Sequence, residues 1–324
     1  MNADDRAASV KIKARELGFT AVGITDLSSN EHEAALRKWL GTGMAGTMTY
    51  MHRQAARRIE PSRIVSGTDR AIVVMRNYFN EDPEWSPGTG RVAKYARGTD
   101  YHLTLRVPLE GLTRHVLELG DGGTIARAYV DAGPVPEREL AYRAGLGWIG
   151  RNSMLIHPRW GSFFFLAVVL TNLNMSIDSP FLHDHCGSCR KCIDACPTGA
   201  VTEDRMIDSR LCISYLTIEY KGQIEEGLQR RMGDWVFGCD ECQDICPWNR
   251  KFSIASIDPV LQVGRTNAEV GLAELLEMTP DVFHHRFGDT PLGRPGVAGI
   301  KRNARIVAKN RESVDARQSR ETEV

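Results

Sequence analysis

The first 185 of the 324 residues contain no cysteine. No stretch approaches the ~18–20 consecutive apolar residues that cross a bilayer. The start, MNADDRAASVKIKARELGF, lacks an apolar signal core and a twin-arginine pair, which predicts a cytoplasmic protein with no membrane segment. Net charge is lacking too: 41 Lys and Arg oppose 41 Asp and Glu. A nucleic-acid partner must then be met by a local basic patch, not by the field of the whole molecule. With 42% hydrophobic and 25% charged residues, the chain reads as ordinary globular protein with room for one large or two modest domains.

What is present up to about residue 185 is an alternation of helix and strand signals, as α/β domains show. Helices are expected at ADDRAASVKIKARELGF, NEHEAALRKWLGTG, HLTLRVPLEGLTRHVLEL and PERELAYRAG, with Pro108 in the first turns of the third. Strands are expected at TAVGITDL, RAIVVMRNYF, ARAYVDAG, SMLIHP and SFFFLAVVLTNL. Beyond the cysteines, GLAELLEMTPDVFHHRF and VAGIKRNARIVAKNR read as helices, and the polar end ESVDARQSRETEV reads as disordered. GLGWIGRN matches G-x-G-x-x-G at Gly145, Gly147 and Gly150. A dinucleotide site needs that loop after a strand and before a helix. Here the helix comes first and a strand follows, so the glycines are expected to form a close-packed, helix-ending loop.

All eight cysteines fall between Cys186 and Cys246, a crowding that points to metal or cluster ligation rather than disulfides. CGSCRKCIDACP is the C-x₂-C-x₂-C-x₃-C-P run of bacterial ferredoxins, in which the fourth cysteine serves the other cluster. Zinc would favour two pairs in tetrahedral geometry, which a tight triple followed by Cys-Pro fits poorly. By the crossing rule, Cys186, Cys189 and Cys192 join Cys246, while Cys196 joins Cys239 and Cys242. One ligand position then remains, and one cysteine. Cys212 is either a small buried apolar residue or that last ligand, and two 4Fe–4S clusters use eight sulfurs with none spare.

In combination, YARGTDYH, VDAGPVPERELAYRAGLGWIGRNSMLIHPRWGS, CGSCRKCIDACPTGA, CISYLTIEYKG and GCDECQDICPWN resemble the epoxyqueuosine reductases. The resemblance runs from about residue 10 to 311. It implies an α/β (α+β) cobalamin-binding domain over 1–178, an inserted ferredoxin-like two-cluster domain over 179–250, a short HEAT-like helical segment over 251–311, and a disordered tail over 312–324. It implies reduction of epoxyqueuosine to queuosine at the wobble position of a tRNA anticodon, by a monomer fed from a flavodoxin- or ferredoxin-like donor. No D-x-H-x-x-G loop occurs, so the implied cobalamin is base-off with no protein ligand to cobalt. A dehalogenase-like enzyme acting on a small halogenated compound and a ferredoxin-like electron carrier are the alternatives.

The resemblance also implies site residues. Asp131 in VDAGP matches the proton donor, its pKa raised by burial among Val130, Ala132 and Pro134; without the resemblance, a turn aspartate is the simpler reading. Arg58, Ala96, Val135, Met154, Cys212, Ser214 and Tyr215 match positions near cobalamin, and His102 and His157 are further pocket candidates. Arg151 and Lys221 are candidates for the tRNA phosphate path. So are Arg302 and Arg305, because residues 281–311 hold seven Lys and Arg against Asp281 and Asp289 alone, a local excess of five positive charges. Two features depart from the family pattern. The chain is shorter than members with additional C-terminal helical repeats, and FFFLAVVLTNL lacks a glycine–glutamate pair after its Phe-Leu.

Overall fold

The computed structural model describes residues 1–258, 261 and 267–322, with side chains described to 313. The first half runs α1 (Ala3–Glu16), β1 (Ala21–Asp26), α2 (Glu33–Gly41), α3 (Thr49–Arg53), α4 (Ala55–Ile59), β2 (Arg70–Asn77), β3 (Thr89–Val92), α5 (Tyr101–Thr104), α6 (Arg106–Glu118), β4 (Ala126–Tyr129) and α7 (Glu137–Arg143). A small hairpin, β5 (Trp148–Ile149) and β6 (Leu155–Ile156), precedes β7 (Phe164–Thr171).

The main sheet has the order β1-β2-β7-β4, and every pairing in it is antiparallel. The helix–strand alternation therefore resolves as α+β, not as a parallel βαβ sheet. The central strands β2 and β7 are covered on both faces, which is why they read as continuous apolar runs. Ile72, Val74, Ala167 and Val169 pack against Val10 and Ala14 of α1 and Leu109 and Leu112 of α6. The alternate residues Val73, Met75, Val168 and Leu170 meet Leu140, Ala141 and Ala144 of α7 on the other face. At Gly23 in β1 a Cβ would lie 2.2 Å from the Ala144 carbonyl oxygen, so only glycine lets α7 approach this closely. That contact fixes the C-terminal end of α7 against β1.

Residues 191–252 form α8 (Lys191–Asp194), α9 (Ile213–Ile218), α10 (Glu226–Arg231), β8 (Trp235–Phe237), α11 (Glu241–Asp244) and α12 (Pro247–Phe252). They are followed by β9 (Glu269–Gly271), α13 (Leu272–Glu277), α14 (Pro280–Phe287) and α15 (Gly296–Thr322). A second sheet, β8-β3-β9, joins one strand from each of the three segments expected as separate units. Its core is shared as well: Val92 and Ala96 pack with Val236, Phe237, Leu275 and Ile300. The lines drawn at 178 and 250 thus divide the sequence but not the hydrophobic core.

Two helical expectations change. GLAELLEMTPDVFHHRF is two helices, because Pro280 has no N–H to continue the ladder and starts α14 at its first position, with Thr279 as N-cap. Residues 312–322, expected as a disordered tail, continue α15; their Glu, Ala, Arg and Gln are good helix formers. Among the described residues, no helix is long and apolar enough to cross a membrane.

A buried ion cluster locks the cysteine segment to the first half. Lys94, its side chain 2% exposed, reaches Asp82 at 2.9 Å and Asp244 at 2.8 Å, with Asp240 at 4.0 Å. Burial lifts the Asp240 carboxyl to about 6, against the pull of Lys94. Replacing Lys94 by Ala leaves three acids facing one another without their ammonium. We expect a loss of ~3–5 kcal/mol, read as a large drop in melting midpoint of the holoprotein. An unchanged midpoint would contradict this role.

Candidate active site

The loop that leaves β4 begins with Asp131 in the left-handed region, at φ 46°. Asp and Asn tolerate that conformation better than other side chains do. The Tyr101 hydroxyl donates a hydrogen bond to Asp131 Oδ2, and Tyr101 itself stacks on Phe165 and His102. On the far side of the loop, Arg58 donates to the Gly133 carbonyl at 3.1 Å and the Val135 carbonyl at 3.2 Å. The loop is thus held from α4 and from α5. Asp131 is exposed, as are Ala132 and Gly133, so the burial expected around its carboxyl is absent; the apolar neighbours in sequence do not fold over it. A second carboxyl nearby is the half-buried Glu137 at the start of α7, which desolvation and then the Asp131 charge lift to about 7.

Behind this loop lie two adjoining cavities of about 490 and 1020 Å³. Both are lined by Met48, Met51, Arg58, Glu137, Arg138 and Ile207. The larger one takes in Asp131, His102, Cys212, Ser214 and Tyr215, and the smaller one Val135. The cleft therefore collects most of the residues expected around a cofactor. Two are not in its walls. Ala96 is fully buried in the shared core, and Met154 accepts the Gly150 N–H through its carbonyl within the β5–β6 hairpin. Both adjoin functional motifs in sequence; the Ala96 side chain serves packing, and Met154 is half-buried. His102 is bound to Asp100 at 2.7 Å, a contact that raises its pKa. His157 is a structural residue: Nδ1 accepts the Arg159 N–H at 3.0 Å, and burial, then Arg159, lower its pKa to about 4.

The cysteines sort into two groups. Cys186, Cys189, Cys192 and Cys246 line one cavity of about 220 Å³ with Arg151, His185 and Trp248. Burial, then the neighbouring Cys186, Cys246 and Cys189, push the Cys192 thiol up to about 11. Burial likewise raises the Cys242 thiol, with Cys212 and Cys196 the next contributors, and Cys212 acts on Cys239. None of the eight is paired in a disulfide among the described residues. Trp148 Nε1 and Arg151 Nε are buried without a hydrogen-bond partner among the described residues. Trp148 packs on Cys246 and Cys186, where sulfur acceptors of a cluster suit an unpaired N–H. The glycines of GLGWIG hold this wall: a Cβ at Gly147 would stand 2.1 Å from the Ile156 carbonyl oxygen. They follow α7 and end it, as the sequence implies.

The expected tRNA residues fare differently. Arg302 gives its guanidinium to the carbonyls of Leu216 and Tyr220, both at 2.6 Å, and Gly222 at 2.9 Å. Lys221 binds the Arg294 and Pro295 carbonyls at 3.2 Å. Arg151 donates to the Gly187 carbonyl beside the first thiol group. All three are tied to backbone. Arg286, Arg294, Lys309 and Arg311 pair with Glu274, Glu219, Glu226 and Asp234, so the local positive excess is largely cancelled in space. Arg305 remains exposed. Other exposed cations lie on α3 and α4. Tyr50 and Gln54 line the larger cavity, and His52, Arg53 and Arg57 beside them are exposed. They belong to the run HRQAARR.

A loop aspartate over a deep cleft, with two thiol groups behind it, defines an iron–sulfur oxidoreductase that holds a large cofactor. The comparisons make this specific. Residues 185–249 match the 4Fe-4S double cluster binding domain, and residues 58–132 match the family described as Epoxyqueuosine reductase QueG, DUF1730. An epoxyqueuosine reductase of Cellulophaga algicola is 39% identical over 91% of this chain and 95% of its own. One of Pseudomonas aeruginosa is 39% identical over 95% of this chain and 86% of its own. A crystal structure of an epoxyqueuosine reductase with an epoxyqueuosine-modified tRNA stem loop superposes with TM-score 0.85 at 27% identity, covering 95% of this chain and 82% of that one. The Bacillus subtilis enzyme, with its catalytic aspartate loop swung out of the active site, gives 0.86 at 26% identity over 95% and 82%. This chain belongs to the epoxyqueuosine reductase family.

Proposed function

We infer that this protein reduces epoxyqueuosine to queuosine in tRNA, with Asp131 as the proton donor. The observation that carries the reading is Asp131 on the wall of a cleft of about 1020 Å³ that also includes Cys212. Two 4Fe–4S clusters are held by Cys186, Cys189, Cys192 and Cys246, and by Cys196, Cys212, Cys239 and Cys242. The mutual influence of the thiols supports this partition. Because Cys212 lines the cleft, the second cluster is the one nearer the cofactor.

Cobalamin fits the cleft. Its two cavities exceed the usual small-ligand pocket in combined size, and Arg58, which lines both, has a buried Nε with no partner among the described residues. Arg58, Val135, Ser214 and Tyr215 are the residues to hold it. A corrin held there would supply low-potential, one-electron redox chemistry for the epoxide. The protein's own part is to hold the nucleoside against that centre, exclude water, and give a proton to the oxygen as its bonds to carbon break. Asp131 is suited to this step because Tyr101 and Arg58 fix its loop from both sides.

The tRNA approaches across α3 and α4, with its modified base turned into the cleft. Arg53, Arg57 and Arg305 meet phosphates. Replacing Arg53 and Arg57 by Ala should weaken stem-loop binding about tenfold at low salt and flatten the salt slope by ~1 per lost contact. Unchanged affinity and slope would remove this face from the proposal. Residues 179–250 form the cluster-bearing unit inserted between the cofactor-binding segment 1–178 and the helical, HEAT-like segment 251–311. Electrons enter from a flavodoxin- or ferredoxin-like donor at the first cluster, whose Cys186 and Cys189 are half-exposed. The protein works as a monomer in the cytoplasm. Expression in a strain that lacks the activity should restore queuosine to its tRNA; persistence of epoxyqueuosine alone would overturn the reading.

A further inference from the structure

Removing the epoxide oxygen as water breaks two C–O bonds and consumes two electrons and two protons. Asp131 carries one proton at a time, so a second acid, or solvent, must reload it. Glu137 sits where the two cavities meet and lines both. It is the first residue of α7, and it shares the wall of the larger cavity with Asp131. The charged groups facing it are Asp131 from the loop after β4, Arg58 from α4, and Arg138 on its own helix. Arg58 is engaged with loop carbonyls, and Arg138 donates to the Ser153 carbonyl. Across the smaller cavity, His32 is paired with Glu139 and Arg205 with Asp184. Glu137 is thus left facing Asp131 without an ion-pair partner of its own among the described residues.

We propose that Glu137 is the proton reservoir behind Asp131: after Asp131 protonates the oxygen, Glu137 passes its proton to the Asp131 carboxylate, and solvent then reloads Glu137. The second proton completes the departing water, while the two electrons come from the clusters. Glu137 acts through Asp131 and is a positioning residue for protons, not a group that touches the substrate. Its carboxyl, lifted to about 7 by burial and then by Asp131, is half-loaded near neutral pH, which suits a relay. This inference rests on the reading of Asp131 as the donor.

The test is the pH profile of turnover by reconstituted holoenzyme on an epoxyqueuosine-modified stem loop, for wild type, Glu137→Gln, Glu137→Asp and Asp131→Asn. Gln keeps the size and shape of the side chain but holds no transferable proton. Wild-type kcat should fall as pH rises through about 7. Glu137→Gln should lower kcat ~10-fold at neutral pH and abolish that inflection, with KM within about twofold and unchanged cluster and corrin spectra. Glu137→Asp should keep an inflection. A Glu137→Gln enzyme with wild-type kcat, or with a uniform loss that keeps the inflection, overturns the relay. Near-full turnover by Asp131→Asn would instead overturn the donor assignment on which the relay stands.

Discussion

Asp131→Asn should lower the rate of epoxide reduction by ~10²–10⁴-fold, the usual worth of a positioned general acid. It should leave iron content, corrin binding and melting behaviour as in wild type. The reason the effect is chemical and not structural lies in the backbone. Asp131 adopts φ 46°, and Asn is as tolerant of the left-handed region as Asp. The Tyr101 hydroxyl that donates to Oδ2 can still donate to an amide oxygen. The clamp from Arg58 engages the Gly133 and Val135 carbonyls, not the side chain at 131. Only the transferable proton is removed. Single-turnover rates with chemically pre-reduced enzyme measure this step apart from electron delivery. A variant that reduces the epoxide at near wild-type rate would end the assignment.

The second large effect separates crossed from local cluster ligation. A chain in which Cys196 and Cys239 are both replaced by Ala should lose one cluster, falling from about eight irons to about four. A chain in which Cys192 and Cys196 are both replaced should lose both clusters. If the two cysteine runs each held their own cluster, the outcomes would be exchanged: the first double variant would lose both and the second only one. The closeness of Cys246 to Cys186, Cys189 and Cys192 around one cavity, and of Cys196 and Cys212 to Cys242, favours the crossed outcome. Iron and sulfide analysis after anaerobic reconstitution reads it directly.

The triple Cys186, Cys189 and Cys192 was legible in the sequence because three ligands of a cube lie close in the chain at a spacing the cube fixes. The strands were legible because β2 and β7 are buried on both faces and so read as unbroken apolar runs. Their antiparallel pairing was not, since β1, β2, β7 and β4 meet through connections that carry no local signal. The charge count over residues 281–311 misled for a related reason. Arg294 is neutralised by Glu219, Lys309 by Glu226 and Arg311 by Asp234, partners more than seventy positions away in the chain. Counting charge along one segment cannot see them. Arg302 shows the same limit: its guanidinium is spent on carbonyls of α9 and the turn after it.

Around the cleft, motif matching singled out Asp131 but not the residues that hold its loop. Tyr101 stands in the same YARGTDYH stretch that drew attention to His102, yet Tyr101 is the one whose hydroxyl reaches Asp131. Glu137 drew no reading from the sequence, because its place between two cavities depends on how α7 packs in the fold, which no local pattern encodes. Ala96 differs the other way: it adjoins a functional motif, yet its side chain is buried in the shared core.

The most direct test of the whole account is nucleoside mass analysis of an epoxyqueuosine-modified tRNA stem loop incubated with this protein. The protein is reconstituted anaerobically with iron, sulfide and cobalamin and supplied with a one-electron reductant. The account predicts that epoxyqueuosine loses one oxygen and appears as queuosine, and that omitting cobalamin stops the conversion. Unchanged epoxyqueuosine with both clusters and the corrin bound would contradict it.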